Sequence, residues 1–101
     1  MSMIIVTGRI EAKPDCYDEV MRLSLEHVAR SRAEQGCIDH RVAVDCENAM
    51  QFVFVEYWAD MPALMTHFAV EASQNFVKSL TPLVATKPDM RVFNADEVSV
   101  G

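Results

Sequence analysis

The stretch Gln51-Phe52-Val53-Phe54-Val55-Glu56-Tyr57-Trp58-Ala59 decides the architecture. It is rich in β-branched and aromatic residues, which favours a strand. Successive side chains of a strand point to opposite faces. One parity carries Phe52, Phe54, Glu56 and Trp58, and the other carries Val53, Val55 and Tyr57. Both faces are apolar, so both need cover. Helices of the same chain cover one. A chain of 101 residues has no second layer left for the other. That face is expected to pack sheet against sheet on a second copy, in a homodimer.

Upstream, Met3–Glu11 reads as a first strand and Lys13-Pro14-Asp15 opens a helix. Proline suits a first turn, and Asp15 suits a cap or the positive helix end. Tyr17, Val20, Met21, Ser24 and Val28 keep helical spacing on one side, and the helix is expected to stop at Gly36. His27 reads as a partly exposed mid-helix residue. Ile38–Asp45 is a second strand, turned by Glu47-Asn48-Ala49. Downstream, Asp60 caps a helix over Met61–Ala69 with Pro62 in its first turn, and a short helix covers about Ala72–Leu83. Lys87-Pro88-Asp89 precedes a last strand, Met90–Ala95. The order βαββαβ, with the second helix in two pieces, predicts an α+β, ferredoxin-like fold. Four antiparallel strands carry helices on one face, in a single domain over residues 1–101.

Composition removes many functions. Fifteen acids against nine bases give a net charge of −6, which disfavours nucleic acid and anionic membrane as partners. No apolar run approaches the ~20 residues of a membrane helix. Glycine occurs only at positions 8, 36 and 101, which excludes a P-loop and a dinucleotide-binding turn. Serines occur without G-x-S-x-G, so there is no hydrolase elbow. Cys16, Cys37 and Cys46 are odd in number and lack CxxC spacing, which points away from a disulfide scaffold or a zinc ribbon. With no signal-peptide pattern at the start, a reducing cytoplasm is expected. Cysteines and histidines scattered along the sequence, and the lack of glycine loops, predict no metal, flavin or nucleotide cofactor.

The chain resembles the antibiotic biosynthesis monooxygenase family of dimeric α+β barrels over almost its whole length. Glu34-Gln35-Gly36-Cys37, Phe54-Val55-Glu56-Tyr57-Trp58-Ala59-Asp60, Ala63-Leu64 and His67-Phe68 carry the resemblance. Members commonly show E-P-G-C, a strand ending E-x-W-x-D and a helix with A-L-x-x-H. Gln35 stands here for the proline, and Glu71-Ala72-Ser73 replaces the usual P-H-F. The resemblance implies chemistry without metal, flavin or haem. A phenol or quinol is deprotonated, its anion reduces oxygen directly, and the resulting hydroperoxide collapses to a quinone. Such a protein supplies a base, donors for the oxyanion and a dry pocket. The aromatic-polyketide branch lines its pocket with residues that fall on Phe54, Trp58, Leu64 and Lys78, of which only Trp58 matches. The haem-degrading set falls on Gly8, His67 and Val77 and does not match.

His67 is the candidate base, because histidine titrates near neutral pH and many relatives carry it there. Trp58, Phe54, Glu56, His40 and Phe68 are the candidate substrate contacts. Trp58 reads as filling the space between sheet and helices, as core and cavity wall together, with an indole N–H that needs a partner if buried, and Glu56 as a carboxylate that orients a base or pairs at the sheet edge. The leading expectation is a cofactor-independent oxygenase acting on a small quinol or phenol and molecular oxygen. One alternative is an isomerase of a phosphorylated autoinducer-2-type signal, for which Arg9, Arg91 and Lys78 are the evident cations. Another is a small-molecule-binding or stress-response barrel without catalysis.

Overall fold

In the computed structural model, residues 2–101 are described, and they form one four-stranded antiparallel sheet in the order β2-β3-β1-β4. The strands are β1 (Ser2–Glu11), β2 (Cys37–Asp45), β3 (Asn48–Trp58) and β4 (Asp89–Asp96). The helices are α1 (Tyr17–Ser31), α2 (Met61–Ala69) and α3 (Glu71–Leu80). This is the ferredoxin-like α+β arrangement that the element order predicts. Among the described residues no helix is long and apolar enough to cross a membrane.

Several boundaries differ from the sequence reading, for local reasons. A single 3-10 turn, Pro14–Cys16, precedes α1, and Asp15 makes no cap bond to its N-terminus. Helix α1 ends at Ser31, five residues before Gly36. The Ser31 hydroxyl donates back to the His27 carbonyl at 2.7 Å, and the Glu34 N–H donates to the Ser31 carbonyl at 3.0 Å. The chain thus tightens into a turn before Gly36 instead of running on. Asn48 belongs to β3, paired with Asp45 across a two-residue turn of Cys46 and Glu47. The last turn of the final helix is 3-10, Thr81–Leu83.

Alternation along β3 works as its sequence implies. Phe52, Phe54, Glu56 and Trp58 lie under the helices, while Val53, Val55 and Tyr57 occupy the other face and are half-buried. Two apolar clusters fill the space between sheet and helices. One contains Ile10, Val20, Val28, Phe52, Phe54 and Leu80, and the other contains Ile4, Val6, Trp58 and Leu64. Glu56 falls between them on the same strand face.

Two features hold α2 in place. Asp60 caps it, its carboxylate accepting from the Ala63 N–H at 2.9 Å. Gly36 has φ +85°, and a Cβ built there would lie 2.5 Å from the Ala63 Cβ. Only glycine allows both the left-handed backbone and the close approach of α2. The Gly36 carbonyl also accepts from the Ala59 N–H at 2.8 Å. The turn after α1 and the start of α2 are thereby locked together.

Candidate active site

Three histidines from three elements converge beneath the helices. His27 comes from α1, His40 from β2 and His67 from α2, and their residues are 6%, 0% and 3% exposed. Ring centroids lie 5.1 Å apart for His27 and His40, 5.3 Å for His27 and His67, and 5.7 Å for His40 and His67. The sequence reading made His27 partly exposed, and that is corrected here. His27 lies seven residues after Val20 and three after Ser24, on the stripe that α1 buries. Two fully buried serines, Ser24 and Ser31, make that stripe look polar. The helical spacing itself contained the signal.

His67 is held by Glu34, which the sequence offers as part of the Glu34–Cys37 motif without a role at the site. Its Nδ1 lies 2.8 Å from Glu34 Oε1. A carboxylate accepts, so Nδ1 carries the proton and donates. The Nε2 lone pair is left on the side of Glu56, whose Oε1 lies 4.0 Å away. Trp58 packs on the His67 ring at a centroid distance of 4.6 Å. Early termination of α1 and the Gly36 turn are what bring Glu34 to α2.

Glu56 is buried in the middle of the sheet, not paired at its edge. It accepts from the Trp58 indole N–H at 2.9 Å. Burial pushes its pKa up, neighbouring Glu34 adds to the rise, and the Trp58 bond and His67 oppose it. His40 Nε2 lies 3.5 Å from Glu56 Oε2 without a hydrogen bond. Burial lowers the His40 pKa to about 4, helped by His67 and Arg32, so His40 is neutral at pH 7 and the pair is no salt bridge. Burial likewise lowers His27 to about 3, with His40, His67 and Arg30 adding to the fall. Arg30 donates to His27 Nδ1 at 2.9 Å, and Phe76 stacks on the same ring at 4.0 Å and 4°.

The cluster forms one wall of a cavity of about 690 Å³ between sheet and helices. Phe54, Glu56, Phe68 and Phe76 share the wall with the histidines. Gly8 faces Phe54 across the two central strands, and its missing side chain helps open the space. His40, Phe54, Glu56, His67 and Phe68 of the sequence candidates are all brought together there. Trp58 is not in the wall. It is completely buried in the second apolar cluster, behind Glu56 and His67, so it fills the space between sheet and helices as expected but supports the wall instead of forming it. Arg9 and Lys78 line the cavity, whereas Arg91 pairs with Asp89 and does not. The three cysteines are free, and burial raises the Cys37 pKa to about 11, with Glu34, Glu56 and Asp39 adding to the rise, which makes it a packing thiol.

Comparison with known proteins follows the same lines. The family model described as antibiotic biosynthesis monooxygenase matches residues 3–79, and the chain belongs to that family. A solved antibiotic biosynthesis monooxygenase is 31% identical, with 96% of this chain and 100% of that one covered and a TM-score of 0.83. A Deinococcus radiodurans protein shares the fold at TM-score 0.92 and 24% identity, with 97% of both chains covered. The uncharacterized protein sll1783 of Synechocystis sp. is 32% identical over 94 residues, which are 93% of this chain. The match spans 64% of that relative's length.

Proposed function

We propose that the protein oxidises a small phenol or quinol with molecular oxygen, without a cofactor, using His67 as the base. The observation that carries this reading is the Glu34–His67 contact at 2.8 Å beside an aromatic-walled cavity. Glu34 holds the proton on Nδ1 and leaves Nε2 to take one from a substrate hydroxyl. The resulting anion transfers one electron to oxygen, and the superoxide and aryloxyl radical recombine as a carbon-bound peroxide. The His67 imidazolium returns its proton to that peroxide. The hydroperoxide then loses water and leaves the quinone carbonyl. Overall, a phenol and O₂ give a quinone and water. Phe54, Phe68 and Phe76 offer a dry surface for a ring, and neutral His40 can donate to the developing oxyanion.

Membership of a monooxygenase family supports this reading. Arg9 and Lys78 line the cavity, as the phosphorylated-sugar alternative requires, but the groups beside the base itself are Glu34 and Glu56, which disfavour an anionic substrate at His67. The uncovered face of the sheet supports a homodimer, with Val53, Val55 and Tyr57 against the same face of a second copy. Oxygen uptake with a panel of hydroquinones and no added cofactor tests the activity. Uptake linked to quinone formation by chelator-treated protein is expected. No uptake across a panel that spans the cavity's size would contradict it.

A further inference from the structure

We propose that His27, His40 and His67 form a binding site for one divalent transition-metal ion of borderline softness, such as Zn²⁺ or Co²⁺, at the wall of the cavity. One ring nitrogen from each lies within 4.8 Å of the others. In a tetrahedral site with metal–nitrogen bonds of about 2.0–2.1 Å, donors stand about 3.3 Å apart. The rings therefore need shifts on the order of 1 Å, not a rearrangement of the fold. Three imidazoles with a cavity beside them make three ligands and an open position, a donor set suited to zinc and cobalt.

Independent features of the cluster favour a cation. Both ring nitrogens of His40 are buried and have no hydrogen-bond partner in the chain. Buried polar atoms without partners are costly, and a ligand relieves that cost. Glu34 Oε2 is buried and unpartnered as well, while its Oε1 accepts from His67 Nδ1. A carboxylate behind a histidine ligand fixes the tautomer and strengthens the donor nitrogen. Glu56 stands within 3.5 Å of His40 and 4.0 Å of His67. Two carboxylates in a low-dielectric pocket balance the charge of a dication.

Arg30 opposes the ion. Its Nη2 donates to His27 Nδ1 at 2.9 Å and to the Ala72 carbonyl at 3.3 Å. In that arrangement the neutral His27 ring carries its proton on Nε2. Ligation through Nε2 requires the proton to move to Nδ1 and Arg30 to keep only Ala72. Arg30→Gln would supply a side-chain carbonyl able to accept from Nδ1–H, so it is expected to tighten binding.

The inference does not rest on the oxygenase reading. The His67 Nε2 lone pair serves a metal or a substrate proton, not both, so the ion is expected to compete with the base. The experiment is titration of CoCl₂ into chelator-stripped, tag-free full-length protein, read by visible ligand-field absorption. One Co²⁺ per chain with a four- or five-coordinate spectrum is expected. His40→Gln should weaken binding at least tenfold, Glu34→Gln by about 10–100-fold, and Arg30→Gln should strengthen it. Absence of one-to-one binding, or affinity unchanged in folded His40→Gln, would overturn the site. If that variant fails to fold, the wild-type imidazole NMR signals decide. Paramagnetic shifts at all three histidines support the site, and unshifted imidazoles at saturating Co²⁺ sink it. Neither readout uses activity, so the site can fail while the oxygenase reading stands.

Discussion

On the helix-covered face of β3, Glu56 is 7% exposed and Trp58 is completely buried, and around them lie three histidines and the Glu34 carboxylate. On the opposite face Val53, Val55 and Tyr57 are half-buried, and Phe93 of β4 is 47% exposed. The inner face thus buries titratable groups between two apolar clusters, whereas on the outer face Val53, Val55 and Tyr57 stand in register with Arg9, Thr7, Arg41 and Asp39. Burying imidazoles and carboxylates is unfavourable unless they are paired. Leaving Val53, Val55, Tyr57 and Phe93 uncovered among those polar neighbours is less favourable than packing them against a second surface. The two faces therefore carry different work. On the proposed reading the inner one serves chemistry and the outer one association.

The largest expected effect breaks the inner face. His67→Ala should lower kcat by roughly 10²–10⁴-fold on a substrate that the wild type oxidises. Circular dichroism and sedimentation should be unchanged. Activity within twofold of wild type would remove His67 from the mechanism.

Next comes the outer face. Val55→Asp places a charge in the centre of the uncovered surface and should cost several kcal/mol of association or stability, read as dissociation on sedimentation. A wild-type protein that sediments as a monomer at micromolar concentration would refute the dimeric assignment of that face.

Gly36→Ala attacks the joint that serves the inner face alone. The new Cβ meets Ala63 at 2.5 Å with the backbone at φ +85°, and a loss of about 2–3 kcal/mol is expected in urea unfolding. Activity should fall further than stability explains, since Glu34 and His67 meet across this joint. An unchanged unfolding midpoint would show that α2 does not depend on the close approach.

Acid sharpens the contrast without a mutation. His27 and His40 are held at about 3 and about 4 in the fold, against an ordinary 6.5. Between those values the unfolded chain binds more protons than the native one, so stability rises with pH. The contribution is complete above about 6.5 and is lost as pH falls toward 4 and 3. Each imidazole loses about 2 kcal/mol between pH 7.5 and pH 5, and Glu56, whose raised pKa acts in the opposite sense, offsets part of this, so chelator-treated protein should be less stable at pH 5 by on the order of 1–3 kcal/mol. Equal stability at the two values would mean that the imidazoles are not buried as described.

What could be read from the residues, and what could not, follows the same division. The alternation of β3, the Asp60 cap and the βαββαβ order are local signals, and each is present in the fold. Phe54 and Glu56 share a face by strand parity, and the family motif carries His67 and Phe68, whereas parity alone leaves His40 facing either the cavity or the dimer seam. The roles of His27 and Glu34 are not legible in the sequence. Buried Ser24 and Ser31 disguise the inner stripe of α1, and Glu34 acquires its role only when α1 stops at Ser31 and α2 docks on Gly36. The expectation of no metal site rested on histidines scattered along the sequence. Three elements bring them within one cluster, a fact of tertiary packing that spacing does not contain.

For the inner face to hold one imidazole as a base, His67 must keep Nδ1–H bound to Glu34 and Nε2 free. Long-range ¹H–¹⁵N NMR of the three histidines in metal-free protein at neutral pH tests this without a known substrate. Neutral His67 is expected as the Nδ1–H tautomer, with a hydrogen-bonded Nδ1 proton that changes in Glu34→Gln. A His67 found as the Nε2–H tautomer, or indifferent to Glu34→Gln, would contradict it.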